Sequence, residues 1–87
     1  MIHNIKIREE FADAVLSGEK SFELRENDRG YQRGDLIRFD VITKEFIRNY
    51  VHKLNDATFV ITYVLNGWGL EPGYVALAIK KVETDNG

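Results

Sequence analysis

Side chains along this chain alternate between apolar and polar in three separate places and run nearly unbroken apolar in two more, but follow a helical period without ambiguity in only one. A chain patterned this way has strands to pair and too few helices to cross between parallel ones. Residues 2–7, IHNIKI, put His3, Ile5 and Ile7 on one parity and Asn4 and Lys6 on the other, as in a half-buried strand. The period then changes. Phe11, Ala14 and Val15 stand at i, i+3 and i+4, which predicts a short helix from Arg8 to Ser17 with these three as its apolar stripe. Glu9 and Glu10 fall in the first turn, where the helix dipole favours acids, and Gly18 supplies a left-handed stop.

Residues 20–25, KSFELR, alternate again, predicting Phe22 and Leu24 inward and Ser21, Glu23 and Arg25 on the opposite face. Residues 26–34 read as a polar loop punctuated by Gly30 and Gly34, and 35–42 as a strand with Ile37, Phe39 and Val41 on one face. The runs 58–65 and 74–82 have little polar interruption and are expected to be central strands, with Tyr63 in the core. Between them lies a Gly-rich loop carrying the only Pro and the only Trp, Trp68. Such a Trp can stack on a base, but packing against the barrel is its commoner role. In 43–57, Phe46, Ile47, Tyr50, Val51 and Leu54 recur at helical spacing and favour an amphipathic helix, although the same residues suit a strand.

The expected class is α+β: about five strands in a small, strongly curved β-barrel, with one or two short helices and one of them over an opening. Residues 1–83 are expected to form one domain and 84–87 to fray. With 87 residues, 44% of them hydrophobic, the chain can build one small core. Twelve basic residues against 14 acidic leave a net charge of −2. The charges are spread evenly, seven basic and eight acidic in 1–38, five and six in 39–87. A polyanion would therefore be met only by a local face. The absence of Cys excludes disulfides, a thiol nucleophile and a thiolate metal site, and suits a reducing compartment. The opening MIHNIKIREE has no signal-peptide core, and no apolar run approaches the roughly 18 residues of a membrane span. A cytoplasmic domain without membrane contact is expected.

Polar chemistry is densest from Gly18 to Asp35. Glu23 and Arg25, two apart on one strand, stand about 6.5–7 Å from each other and can share a ligand or pair. Lys20 has the opposite parity, so its amine lies at the strand mouth or points inward; beside a carboxylate it can shuttle a proton or donate to an oxyanion. The plainer alternative is a solvated ion-pair strip contributing at most about 1 kcal/mol. Asn27, Asp28, Arg29, Tyr31 and Arg33 follow; Arg and Tyr can hold a phosphate and stack a base, while Asn, Asp and Gly are also good turn formers. Gly34-Asp35 reads as turn geometry. His3 and His52 lack a carboxylate at ligand spacing, so no metal is expected, nor any cofactor. Ser17 and Ser21 sit in no nucleophile-elbow motif.

The pattern G-x-K-x-x-E-x-R, carried by Gly18, Lys20, Glu23 and Arg25, with Gly34-Asp35 opening the next strand, resembles the ASCH domain of the PUA-like superfamily. His3 to Ile7, Asn27 to Arg29 and Gly73 to Val75 resemble a small bacterial and phage branch of it whose function is not established. The resemblance runs from residue 3 to about 80 and leaves 43–57 unmatched. It implies a PUA-like β-barrel with a cleft beside the Lys-Glu-Arg strand, and RNA or a modified nucleoside as partner. Some relatives deacylate acetylated cytidine with a Lys, a Thr and a Glu. Here Lys20 matches the Lys, Glu23 stands where the Thr would, and Glu71 is the remaining acid near the last strand.

Three functions follow as expectations. A recognition module would use Lys20 and Arg25 on phosphate or a base edge, Glu23 on an exocyclic amine, and the Asn27, Asp28, Arg29 and Tyr31 loop over the ligand. A small amidohydrolase would use Lys20 on the carbonyl and Glu23 or Glu71 on water. An interaction domain would present the aromatic-rich segment 46–54.

Overall fold

A computed structural model describes residues 1–43 and 51–83. Along it run β1 (Ile2–Arg8), α1 (Glu9–Ser17), β2 (Phe22–Glu26), β3 (Leu36–Ile42), a 3-10 turn (Lys53–Asp56), β4 (Thr58–Asn66) and β5 (Tyr74–Lys81). The three alternating runs and the two mostly apolar ones became the strands, and Gly18 ends α1 in the left-handed region at φ 88°, its N–H bonded to the Val15 carbonyl. The strands make one sheet in the order β1-β3-β4-β5-β2, with β1 and β3 parallel and the other neighbours antiparallel. This is an α+β fold, a curled half-barrel with one α-helix among the described residues.

The inner face of the curl is the core. Ile5, Ile37, Ile61 and Leu77 are wholly buried on it, with Phe39, Phe59, Val75 and Ile79 close behind. Ala12 and Val15 of α1, Leu54 of the 3-10 turn and Ala57 complete the buried cluster. The helix presents Ala12, Val15 and Leu16 where Phe11, Ala14 and Val15 were expected, and Phe11 is 44% exposed. Both triplets have the i, i+3, i+4 spacing; the fully buried Ala12 has too small a side chain to hold the helix away from its neighbours. His52 ties the 3-10 turn to α1, with Nε2 donating to Asp13 Oδ1 at 2.7 Å while Nδ1 accepts from the Leu54 N–H.

Two strands reverse the expected facing. Leu77 lies opposite Glu23, and Val75 opposite Arg25, so the pleat that buries Val75, Leu77 and Ile79 carries Glu23 and Arg25 inward. Phe22 and Leu24 then face outward and are 51% and 54% exposed. Turning them inward would shift β2 by one residue and set it out of phase with β5. On β4 a bulge lies between Ile61, opposite Ile79, and Tyr63, opposite Ala78. The extra residue, Thr62, flips the parity, so Tyr63 is 58% exposed rather than core. Trp68 is also not packed: at φ 52° in the β4–β5 loop, it is 90% exposed.

Among the described residues no ladder joins the outer strands β1 and β2. Two guanidinium groups span the gap instead. Arg25 donates to the Lys6 carbonyl at 3.1 Å and Arg29 to the Asn4 carbonyl at 2.6 Å, capping two same-parity acceptors on the free edge of β1. Of the segment expected to be helical, 53–56 forms the 3-10 turn, while 44–50 and the terminal 84–87 lie outside the described residues. No helix among the described residues is long and apolar enough to cross a membrane.

Candidate ligand-binding site

The amine, acid and guanidinium of the β2 segment converge on one carboxylate. Lys20 lies ahead of the strand, where its chain can bend back. Its Nζ meets Glu23 Oε1 and also donates to the Phe22 carbonyl at 2.8 Å. That amine lies 4.9 Å from the Phe22 ring centre and 5.8 Å from that of Phe11. On the other side, Arg25 Nη1 stands 4.0 Å from Glu23 Oε2. The Glu23 side chain is only 7% exposed, whereas those of Lys20 and Arg25 keep 19% and 30%. A buried carboxylate thus has a partly open cation on each side.

A cleft of about 140 Å³ opens beside Lys20, between the C-terminal turn of α1 and the adjoining strand ends. Val15, Leu16, Phe59 and Ile79 give it apolar walls, and Ser21 and Lys81 also line it. Glu23 and Arg25 do not. Its volume is close to the roughly 150 Å³ of a cavity that takes benzene, and below the roughly 300 Å³ where drug-sized sites begin. It has room for one ring or a short acyl group.

The 27–31 loop is mostly occupied with holding itself. The Asn27 N–H donates to the Gly73 carbonyl at 2.8 Å, and its Oδ1 accepts from the Tyr31 N–H at 3.0 Å. Arg29 reaches out of the loop to the Asn4 carbonyl of β1, and Asp28 is exposed to solvent. Tyr31 is buried, its ring edge-on to His3 at 4.7 Å between centres, and its hydroxyl has no partner among the described residues. Leaving a buried hydroxyl unpaired costs about 1–3 kcal/mol. Tyr31→Phe is therefore expected to unfold at equal or higher urea concentration than the parent. A clear drop in the midpoint would mean that the hydroxyl is bonded.

Two His–carboxylate pairs were not visible in the sequence, His52–Asp13 and His3–Asp35. His3 Nε2 donates to Asp35 Oδ2 at 2.8 Å, and Asp35 also accepts from the Gln32 N–H. The parity of His3 signalled burial, but its partner lies 32 residues away and meets it only through the parallel β1–β3 register. The His3 hydrogen bond, helped by the Gln32 N–H and the nearby amino terminus, outweighs desolvation and holds the Asp35 carboxyl below its ordinary value. A carboxyl lowered on folding stabilises above its unfolded pKa, and that contribution is lost as pH falls through the folded one. Asp35→Asn is thus expected to flatten the acid limb of a thermal-unfolding profile below about pH 4. An acid limb as steep as the parent's would show that Asp35 does not carry it.

The half-barrel with a charged strand turned inward defines a small α+β domain with one compact polar site. The family model described as Domain of unknown function (DUF3850) matches residues 2–79, and the chain belongs to that family. It is 44% identical over 36 residues to an uncharacterised 12.9 kDa protein of Escherichia phage P2, covering 41% of this chain and 33% of that relative. The matched stretch thus spans a third of the relative's length. In three dimensions the chain is similar to the crystal structure of hypothetical protein PH0355, with a TM-score of 0.60 at 16% identity, covering 94% of this chain and all of that one. That likeness concerns the fold alone.

Proposed function

We propose that the domain recognises RNA or a modified nucleoside in the manner of an ASCH, PUA-like module, with Lys20 and Arg25 as the cationic contacts and Glu23 holding both in place. The observation that carries this reading is the inverted facing of β2. An edge strand that buries Glu23 while leaving Phe22 and Leu24 in water forgoes apolar burial for a charged cluster, and departures of that kind concentrate at functional sites. The ring-sized cleft beside Lys20 suits a nucleobase, and the G-x-K-x-x-E-x-R pattern adds the family resemblance. A cytoplasmic setting, expected from the lack of Cys, suits such a ligand.

The test is titration with an RNA pool at micromolar protein over a range of salt. Binding that weakens steeply with salt is expected. The double variant Lys20→Met/Glu23→Leu removes the cluster without stranding a charge, and it should lose that binding while remaining folded. Absence of salt-sensitive binding by the parent would refute the reading. The direct Lys20–Glu23 contact favours one alternative, deacylation of an acetylated cytidine, with Lys20 on the carbonyl and Glu23 or Glu71 on water. Product release unchanged in the double variant would remove the cluster from that chemistry.

A further inference from the structure

The cleft beside Lys20 has a cation that the charged cluster does not use. Along β5, Val75, Leu77 and Ile79 point into the half-barrel, and Lys81 is the next residue of that row. It lies opposite Phe59 on β4, so its stem leaves the strand beside the apolar walls of the cleft. A lysine at such a row end can simply cover apolar surface with its stem. Here it also lines a cavity of about 140 Å³. Lys20 lines the same cavity, but its ammonium is engaged by Glu23 and the Phe22 carbonyl. Among the described residues, Lys81 has no ion-pair partner, and no acid lines the cleft.

The other polar groups of the cleft suit a single acid group. Ser21 stands opposite Ile79, its carbonyl accepting from the Ile79 N–H at 3.1 Å. It has the inward parity of Glu23, so its hydroxyl opens on the side where Lys81 stands, two residues beyond Ile79. Two residues along a strand are about 6.5–7 Å, a span that one carboxylate bridges by accepting a hydrogen bond at each oxygen. The C-terminal turn of α1 forms one wall, and bare carbonyls there would repel an anion. Two of them are capped. Ala14 accepts from the Lys20 N–H and the Ser17 hydroxyl, and Val15 from the Gly18 N–H.

We propose that the cleft binds a small monocarboxylate with an apolar body. A ring or branched acyl chain lies between Val15, Leu16, Phe59 and Ile79, and the carboxylate is held by Lys81 and Ser21. One unengaged ammonium and one hydroxyl match the two oxygens and single charge of such an acid. A phosphate monoester brings three acceptor oxygens and about −1.5 to −2 charge, which these two groups would leave partly unmet. A neutral ring would fill the walls but leave Lys81 without a counter-charge. The inference does not rest on the RNA reading. The two meet in the cleft, where a seated acid excludes a nucleobase.

The test follows the backbone amide NMR signals of the parent chain during titration with benzoate, benzyl alcohol and phenyl phosphate in turn. Benzoate is expected to saturate with a Kd below about 1 mM, an affinity within reach of a ligand of this size. It should move the Gly18, Ser21 and Lys81 amides. Benzyl alcohol and phenyl phosphate should each bind roughly tenfold more weakly. Lys81→Met keeps the apolar stem and should weaken benzoate about tenfold, and Ser21→Ala by a similar factor. Both positions are exposed, so the unfolding midpoints of the variants should stay with the parent's. If benzoate moves none of these amides, the inference falls. It falls equally if both variants bind benzoate like the parent, or if phenyl phosphate or benzyl alcohol binds as tightly as benzoate. RNA binding without benzoate binding overturns this inference alone. Benzoate binding without RNA binding overturns only the RNA reading.

Discussion

Lys20→Ala is expected to destabilise the domain by about 3 kcal/mol, more than Glu23→Gln does, although both remove the same ion pair. The asymmetry follows from burial. Without Lys20, a carboxylate whose side chain is 7% exposed keeps, among the described residues, only Arg25 at 4.0 Å as an ion-pair partner. Without the acid, Lys20 and Arg25 can turn toward water, since 19% and 30% of their side chains are already exposed. Replacing both partners with apolar groups of similar volume is close to neutral in other buried pairs, so Lys20→Met/Glu23→Leu should unfold within about 1 kcal/mol of the parent. Urea denaturation of the four proteins decides it. A double variant as unstable as Lys20→Ala would mean that the cluster is held by something other than mutual neutralisation.

Leu77→Ala should cost about 2–5 kcal/mol, a large share of the roughly 4–13 kcal/mol available to a chain this long. Leu77 is wholly buried, between Glu23 on β2 and Val64 on β4. Its removal leaves a cavity where the sheet cannot collapse, and each kcal/mol lowers the melting temperature of a domain this size by about 4–8 °C. Leu24→Ala, facing outward on the neighbouring strand, should change stability by less than about 0.5 kcal/mol. Calorimetry on the two variants measures the facing of β2 directly. Equal losses would restore the inward placement that alternation alone suggests for Leu24.

Helix α1, the five strands of the described residues and the glycine that stops the helix were legible because each depends on neighbours in the chain. Alternation survives any tertiary context, and a left-handed turn after Ser17 calls for Gly wherever the helix packs. The proximity of Glu23 and Arg25 was legible for the same reason, since a strand holds residues two apart at a constant spacing. Parity alone leaves the Lys20 amine, ahead of the strand and on the opposite parity, open between the strand mouth and the interior. The uses of Asn27, Arg29 and Tyr31 were not. Their partners lie on β1, on the loop before β5, or within the loop itself, and the residue types alone fit a ligand clamp as readily as a loop closure.

Parity told which side chains of a strand share a face, but not which face is the interior. On β1 and β3 both readings agreed, because the apolar parity is also the buried one. On β2 they disagreed, because pairing with β5 set the phase and β5 had more apolar area to bury than Phe22 and Leu24 together. On β4 one bulged residue undid the parity halfway along. What the amino-acid order determined by itself was helix α1, the five strands and the placing of Glu23 and Arg25 on one face, which rest on local spacing. It did not determine the segment 43–57, of which 53–56 forms a 3-10 turn. Only the tertiary structure decided which groups meet water, because that depends on the register between strands distant in the chain.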